Sequence, residues 1–206
     1  MSTTFDVYPG EEAIPSFAQL LERSTWELHR FLESVQIPGR PLIQVALKRC
    51  RDDSDLPLSV SQPFQWTDEA YVWFTVGQVV GGTDAYFEDR AEVINDQWQD
   101  ALDDDRIQHH APHIRHCLSL KRRWTFRRSI SQPALINLAY GLIAGSLAVL
   151  TNGFLDSGDS AWDWQRLPAL PEEFFTWYFR PELAIHRDKQ EWSQRCIGFL
   201  SQELKG

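Results

Sequence analysis

The chain has 206 residues, 43% of them hydrophobic and 13% aromatic, with nine tryptophans and twelve phenylalanines. That supply of apolar surface excludes a disordered chain, and the length fits one domain at a prior of roughly 150 residues each. Twenty lysines and arginines against twenty-nine acids leave a formal charge of −9, which disfavours nucleic acid and anionic membranes and favours basic partners.

The spacing predicts a first helix from Ser16 to Val35. Phe17, Leu20, Leu21, Leu28, Phe31, Leu32 and Val35 recur on one face, and Ser16 with Gln19 forms a capping box. Pro38, Gly39 and Pro41 end it. Ile43, Val45 and Leu47 then alternate with polar neighbours, as a half-buried strand does, and a polar loop runs from Asp52 to Pro63. Tyr71 to Val76 is apolar on both faces, which suits a central strand covered on both sides. Gly81-Gly82-Thr83 breaks that strand, and Phe87, Ala91, Ile94, Trp98 and Leu102 mark a second amphipathic helix.

Leu118, Leu120, Trp124 and Phe126 alternate with Ser119, Lys121, Arg123, Thr125 and Arg127, giving a strand with one basic face. Arg122 is the one charge on its apolar side. Pro133 opens a strongly apolar helix that runs to Leu150 and closes at Asn152-Gly153. A strand or hairpin from Phe154 to Trp164, a helix from Pro171 to Phe179 and a last amphipathic helix with Trp192, Cys196, Phe199 and Leu200 complete the chain. The fold class expected is α+β: one domain over 1–206 with a mainly antiparallel, ferredoxin-like sheet and several packed helices. Its N-terminal segment, 1–40, reads as helical, and 183–206 as a C-terminal helix.

Cys50, Cys117 and Cys196 are an odd number, far apart and without a CxxC pair, which argues against a disulfide framework. Met1 to Asp6 lack the basic and apolar regions of a signal peptide, so the cytoplasm is the expected address. The helix ending at Leu150 is at the short limit for a membrane span and holds Asn137 and Ser146. Its small residues Gly141, Gly145 and Ala148 fit close packing in a core instead.

His109, His110, His113 and His116 form the main cluster of metal-ligand residue types. His109, His113 and His116 share a face if helical, but Pro112 argues for a turn and no HExxH pattern accompanies them. No metal and no cofactor is therefore expected; the alternative is a metal-dependent hydrolase built on the His109–His116 cluster. In the basic run from Lys121 to Arg128, Trp124 and Phe126 lie opposite most of the charges, unlike a nucleic-acid stacking platform. Gly81-Gly82 precedes Asp84, Glu88 and Asp89, acids that would repel a phosphate and suit a helix start. Walker A, GxGxxG and GxSxG motifs are absent, so the expected activity is not enzymatic.

Two acidic clusters remain: Asp100, Asp103, Asp104 and Asp105, and Asp156, Asp159 and Asp163 with Trp162 and Trp164. Carboxylates there would steer a cationic protein, and Trp162 would anchor it. The stretch Ala134–Glu182 resembles part of the bacterial immunity-type proteins that neutralise polymorphic toxins. The likeness rests on Leu150-Thr151-Asn152-Gly153, Phe154-Leu155-Asp156, Ala161-Trp162-Asp163, Pro171-Glu172-Glu173-Phe174 and Arg180-Pro181-Glu182. It implies a cytoplasmic protein that binds and blocks a toxin; the charge of −9 adds that the toxin domain is basic and that neither nucleic acid nor membrane is a partner.

Overall fold

Among the described residues, seven strands form one antiparallel sheet in the order β3-β2-β4-β5-β6-β1-β7. The structure is a computed structural model that describes residues 2–90, 98 and 102–205. The strands are β1 (Thr3–Tyr8), β2 (Ile43–Arg49), β3 (Asp55–Leu56), β4 (Ala70–Val76), β5 (Thr83–Asp89), β6 (Arg122–Arg128) and β7 (Phe154–Asp156). The helices are α1 (Phe17–Ser34), α2 (Ala111–Ser119), α3 (Ala134–Leu150), α4 (Pro171–Trp177) and α5 (Arg187–Glu203). This is an α+β fold. α1 links β1 to β2 across β6, β5 and β4, a wider crossover than the single intervening strand of a ferredoxin-like unit.

Period-two alternation decides which face of the sheet is dry. Phe5 and Val7 of β1, Val72 and Phe74 of β4, Ala85 of β5 and Trp124 and Phe126 of β6 are buried on the inner face. α3 lies on that side, buried almost all round, with α1, α4 and α5 packed about it. α1 begins where the sequence places it: Ser16 caps Gln19, and the Gln19 side chain accepts from the Ser16 backbone N–H. It stops as Gln36 turns left-handed, at φ 58°. The first two amides of α3, Ala134 and Leu135, donate to the Glu203 carboxylate of α5 at 2.8 and 2.9 Å. No helix among the described residues is long and apolar enough to cross a membrane.

Five elements differ from the expectation, the first being β3, a short strand paired with β2 inside the loop expected from Asp52 to Pro63. β1 is a strand inside the segment read as helical, because Phe5 and Val7 alternate with Thr4 and Asp6 and find β6 and β7 on either side. Thr83–Asp89 is strand β5 and not the start of a helix. Its acids face arginines across the ladder, with Asp84 opposite Arg127, Glu88 opposite Arg123 and Asp89 opposite Arg122. Of the helix expected there, 91–97 and 99–101 lie outside the described residues. Leu118 belongs to α2, not to a strand, since Pro112 sits in the first turn of that helix, where a missing N–H costs nothing. The expected hairpin at Phe154 keeps only three paired residues, and Leu155 bridges Ala169 instead.

On the outer face a second, smaller cluster covers one end of the sheet. Tyr8 and Phe154 stack at 4.9 Å and pack with Trp98, Leu102, Ile107, Ile114 and Cys117. The rest of that face is polar and half-buried. Tyr71, Trp73 and Thr75 of β4 lie there, so this strand is covered fully on one side only.

Candidate functional site

The outer face is organised by register. One row runs Asp156, Asp6, Thr125 and Tyr86 across β7, β1, β6 and β5, and the Tyr86 ring stacks on Tyr71 of β4 at 6.0 Å. Lys48 of β2 follows opposite Tyr71. A parallel row holds Thr4, Arg127, Asp84 and Trp73.

The basic run of β6 is neutralised locally by β5. Arg123 donates through Nη2 to both oxygens of Glu88, at 2.8 and 2.9 Å. Arg127 grips Asp84 through Nε and Nη2, and Tyr86 donates to the same carboxylate at 3.0 Å. Arg122 Nε lies 3.2 Å from Asp89. These are charge-assisted contacts, and they occupy the arginines that would otherwise offer a basic patch.

Asp6 and Asp156 differ from those paired acids. They are directly opposite on adjacent antiparallel strands, where like charges repel. Asp6 accepts from Thr125 Oγ1 at 2.5 Å, and Arg123 Nη1 stands 3.9 Å from its other oxygen. Burial raises its carboxyl all the same, outweighing both groups, with Glu88 and Asp159 adding to the effect. Burial pushes Asp156 up to about 6, against the backbone N–H of Ser157 and with the charge of Asp6 adding. Among the described residues Asp156 makes no ion pair, and the charge acting on it is that of Asp6. Burial, reinforced by Asp6, also pushes the Tyr8 hydroxyl to about 12.

Beside this pair a cavity of about 460 Å³ opens on Thr4, Asp6, Tyr86, Glu88, Arg123 and Thr125. A groove of about 1000 Å³ adjoins it, sharing Asp68, Phe87, Glu88 and Arg123 and adding Asp89 and Arg90. Four carboxylates thus line the two spaces against two guanidiniums, of which Arg123 is already bound to Glu88.

The residues singled out from sequence do not share one surface role. Trp162 is fully buried against Tyr178, Phe179 and Trp192, so it is part of this protein's own core and cannot anchor a partner from the surface. Asp163 is also fully buried and accepts from the amides of Ile185 and His186, at 2.7 and 3.1 Å. Asp159 is exposed, but it ties down the start of β1 by accepting from Thr4 N and Oγ1. Asp104 is paired with Arg106, whose hydrogen bonds hold its carboxyl below the usual range. Asp103 and Asp105 are exposed, and Asp100 lies outside the described residues. Only Asp156 joins the outer-face site; sequence reasoning missed its partner Asp6, whose one local signal is its place in the Phe5-Asp6-Val7 alternation.

His109, His113 and His116 do not converge as metal ligands. His116 Nε2 lies 3.0 Å from the Gly10 carbonyl, and His113 Nε2 lies 3.6 Å from Cys117 Sγ. Among the described residues the group with ligand spacing is His109, His110 and Glu173, whose donor atoms lie within 4.8 Å of one another. No family model, curated protein or solved structure matches this chain.

Proposed function

We propose that this chain is a non-enzymatic, immunity-type binding protein that blocks a basic bacterial toxin domain in the cytoplasm. The docking surface is the outer face of the sheet, centred on Asp6 and Asp156. The observation that carries this reading is the opposed carboxylate pair, of which Asp6 alone has an arginine near it, beside spaces lined by four carboxylates against two guanidiniums.

Two half-buried carboxylates held face to face are an unfavourable arrangement for the free protein. An arginine or lysine of a partner placed between them removes the repulsion and takes over the role of the proton on Asp156. Such a contact is charge-assisted, and a guanidinium can donate to both carboxylates through its fork of N–H groups. The net charge of −9 raises the encounter rate with a cationic partner, most strongly at low salt. Tyr86, which lines one cavity with Asp6, and Tyr71 stacked on it supply aromatic area on the same face, the residue type that interfaces favour.

The test seeks a basic toxin domain among the products of the genes neighbouring this one, purifies it and titrates it into the full chain. Changing Asp6 and Asp156 together to Asn should weaken binding roughly tenfold or more, since charge contacts at a desolvated centre carry that much. The variant must keep its cooperative unfolding transition. Unchanged affinity would remove the outer face from the interface. Failure of the chain to bind such a domain, or to protect cells that express it, would overturn the reading itself.

A further inference from the structure

We propose that His109, His110 and Glu173 form a binding site for a divalent transition-metal ion of the zinc class. The site is separate from the outer-face docking surface, and neither depends on the other. Imidazole nitrogen and carboxylate oxygen are the donors such an ion takes, and three protein donors leave one position of a tetrahedral shell open. The three donor atoms already lie within 4.8 Å of one another. A tetrahedral ion with bonds of about 2.1 Å needs donors about 3.4 Å apart. His110 Nε2 and Glu173 Oε1 stand 3.2 Å apart, so one pair has closed to that spacing. The rings of His109 and His110 lie 3.6 Å apart between centroids, and His109 is exposed.

The backbone supporting these donors is pinned. His109 and His110 lie on a 3-10 turn, Gln108–His110, between the buried residues Ile107 and Ala111. Glu173 lies in the first turn of α4, between the buried residues Pro171 and Phe174. Donors 63 residues apart are therefore brought together by packed elements rather than by a floppy loop.

His110 and Glu173 also line a cavity of about 340 Å³ together with Arg106 and Arg166. Arg106 is neutralised by Asp104 and does not oppose a cation strongly. Arg166 donates to the Leu183 carbonyl, while its buried Nε has no hydrogen-bond partner among the described residues. Arg166 lines the same cavity, and a guanidinium there suits an anionic ligand on the open position of the metal, a carboxylate or a phosphate oxygen.

The experiment is a titration of the full chain, free of any polyhistidine tag and stripped with chelator, with Co²⁺ followed by visible absorbance and with Zn²⁺ by calorimetry. One saturable equivalent is expected. Glu173→Gln and His110→Ala should each weaken it roughly tenfold or more, the scale at which metal sites respond to loss of a supporting group. His113→Ala should leave it unchanged. Unfolding curves of the metal-free variants check the fold, which should hold because these side chains lie at the surface. Absence of a saturable equivalent, or equal binding by wild type and the triple variant H109A/H110A/E173Q, would overturn the proposal. Loss of the equivalent in His113→Ala with retention in Glu173→Gln would also overturn it.

Discussion

Asp6 and Asp156 stand directly opposite each other in the ladder between β1 and β7, two half-buried acids side by side on the outer face of the sheet. Cross-strand like charges destabilise a sheet, and burial removes the water that would screen them. The fold accommodates the pair by keeping a proton on it over part of the pH range.

Stability should therefore fall as pH rises through the folded-state value of Asp156. Its carboxyl is raised from 3.8 to about 6, so the folded chain holds more protons than the unfolded chain between those values. The stabilising proton is fully present below about 4 and is lost as pH passes about 6. Asp156→Asn should flatten that dependence and raise stability at pH 7 by about 1–3 kcal/mol. Denaturant unfolding at pH 5 and pH 7 checks this, and a wild-type protein whose stability is unaffected by Asp156→Asn at pH 7 would contradict it.

Trp162 and Asp163 should act on folding rather than on binding. Trp162→Ala removes a ring packed on Tyr178, Phe179 and Trp192 and should cost about 3–5 kcal/mol. Asp163→Asn turns one of two acceptors into a donor facing the amides of Ile185 and His186, at a cost of about 1–3 kcal/mol. The midpoint of thermal unfolding should drop in both. An unchanged midpoint with weakened partner binding would return these residues to the interface.

The small residues of α3 are packing residues. A Cβ at Gly141 would run into the Tyr178 ring, which is held by hydrogen bonds from its hydroxyl to the carbonyls of Asn137 and Leu138. At Gly145 it would come within 2.8 Å of Phe175. Gly141→Ala and Gly145→Leu should each cost about 1–3 kcal/mol by overpacking. Wild-type stability in both would mean that α4 does not lie against this face of α3.

Elements with strong local signals were legible in the sequence. The capping box at Ser16 and Gln19 marks α1, the apolar run marks α3, and the alternation about Trp124 and Phe126 gives the inner face of β6. What stayed hidden depends on partners distant in the chain. β5 reads locally as a helix start because Phe87 sits at helical spacing from Ala91 and Ile94. The arginines that make it a strand, Arg127 for Asp84 and Arg123 for Glu88, are 43 and 35 residues away. β1 offers only Phe5 and Val7 as an inward alternation until β6 and β7 flank it. The acidic character of the site was visible in Asp156, whereas its opposition to Asp6 is a product of strand order. Asp163 and Trp162 looked like surface chemistry because an acid and an aromatic beside turn residues carry no mark of burial.

Proton-linked calorimetry tests the docking account most directly. The basic toxin domain is titrated into the chain at pH 6 in two buffers of different ionisation enthalpy, then again at pH 5 and pH 7. A cation seated on Asp6 and Asp156 must displace the proton that Asp156 holds with its value of about 6. About half a proton should be released per complex at pH 6, and affinity should rise from pH 5 to pH 7. In Asp156→Asn both effects should vanish. Binding of the wild-type chain with no proton released at pH 6, and with an affinity that Asp6→Asn and Asp156→Asn leave unchanged, would contradict it.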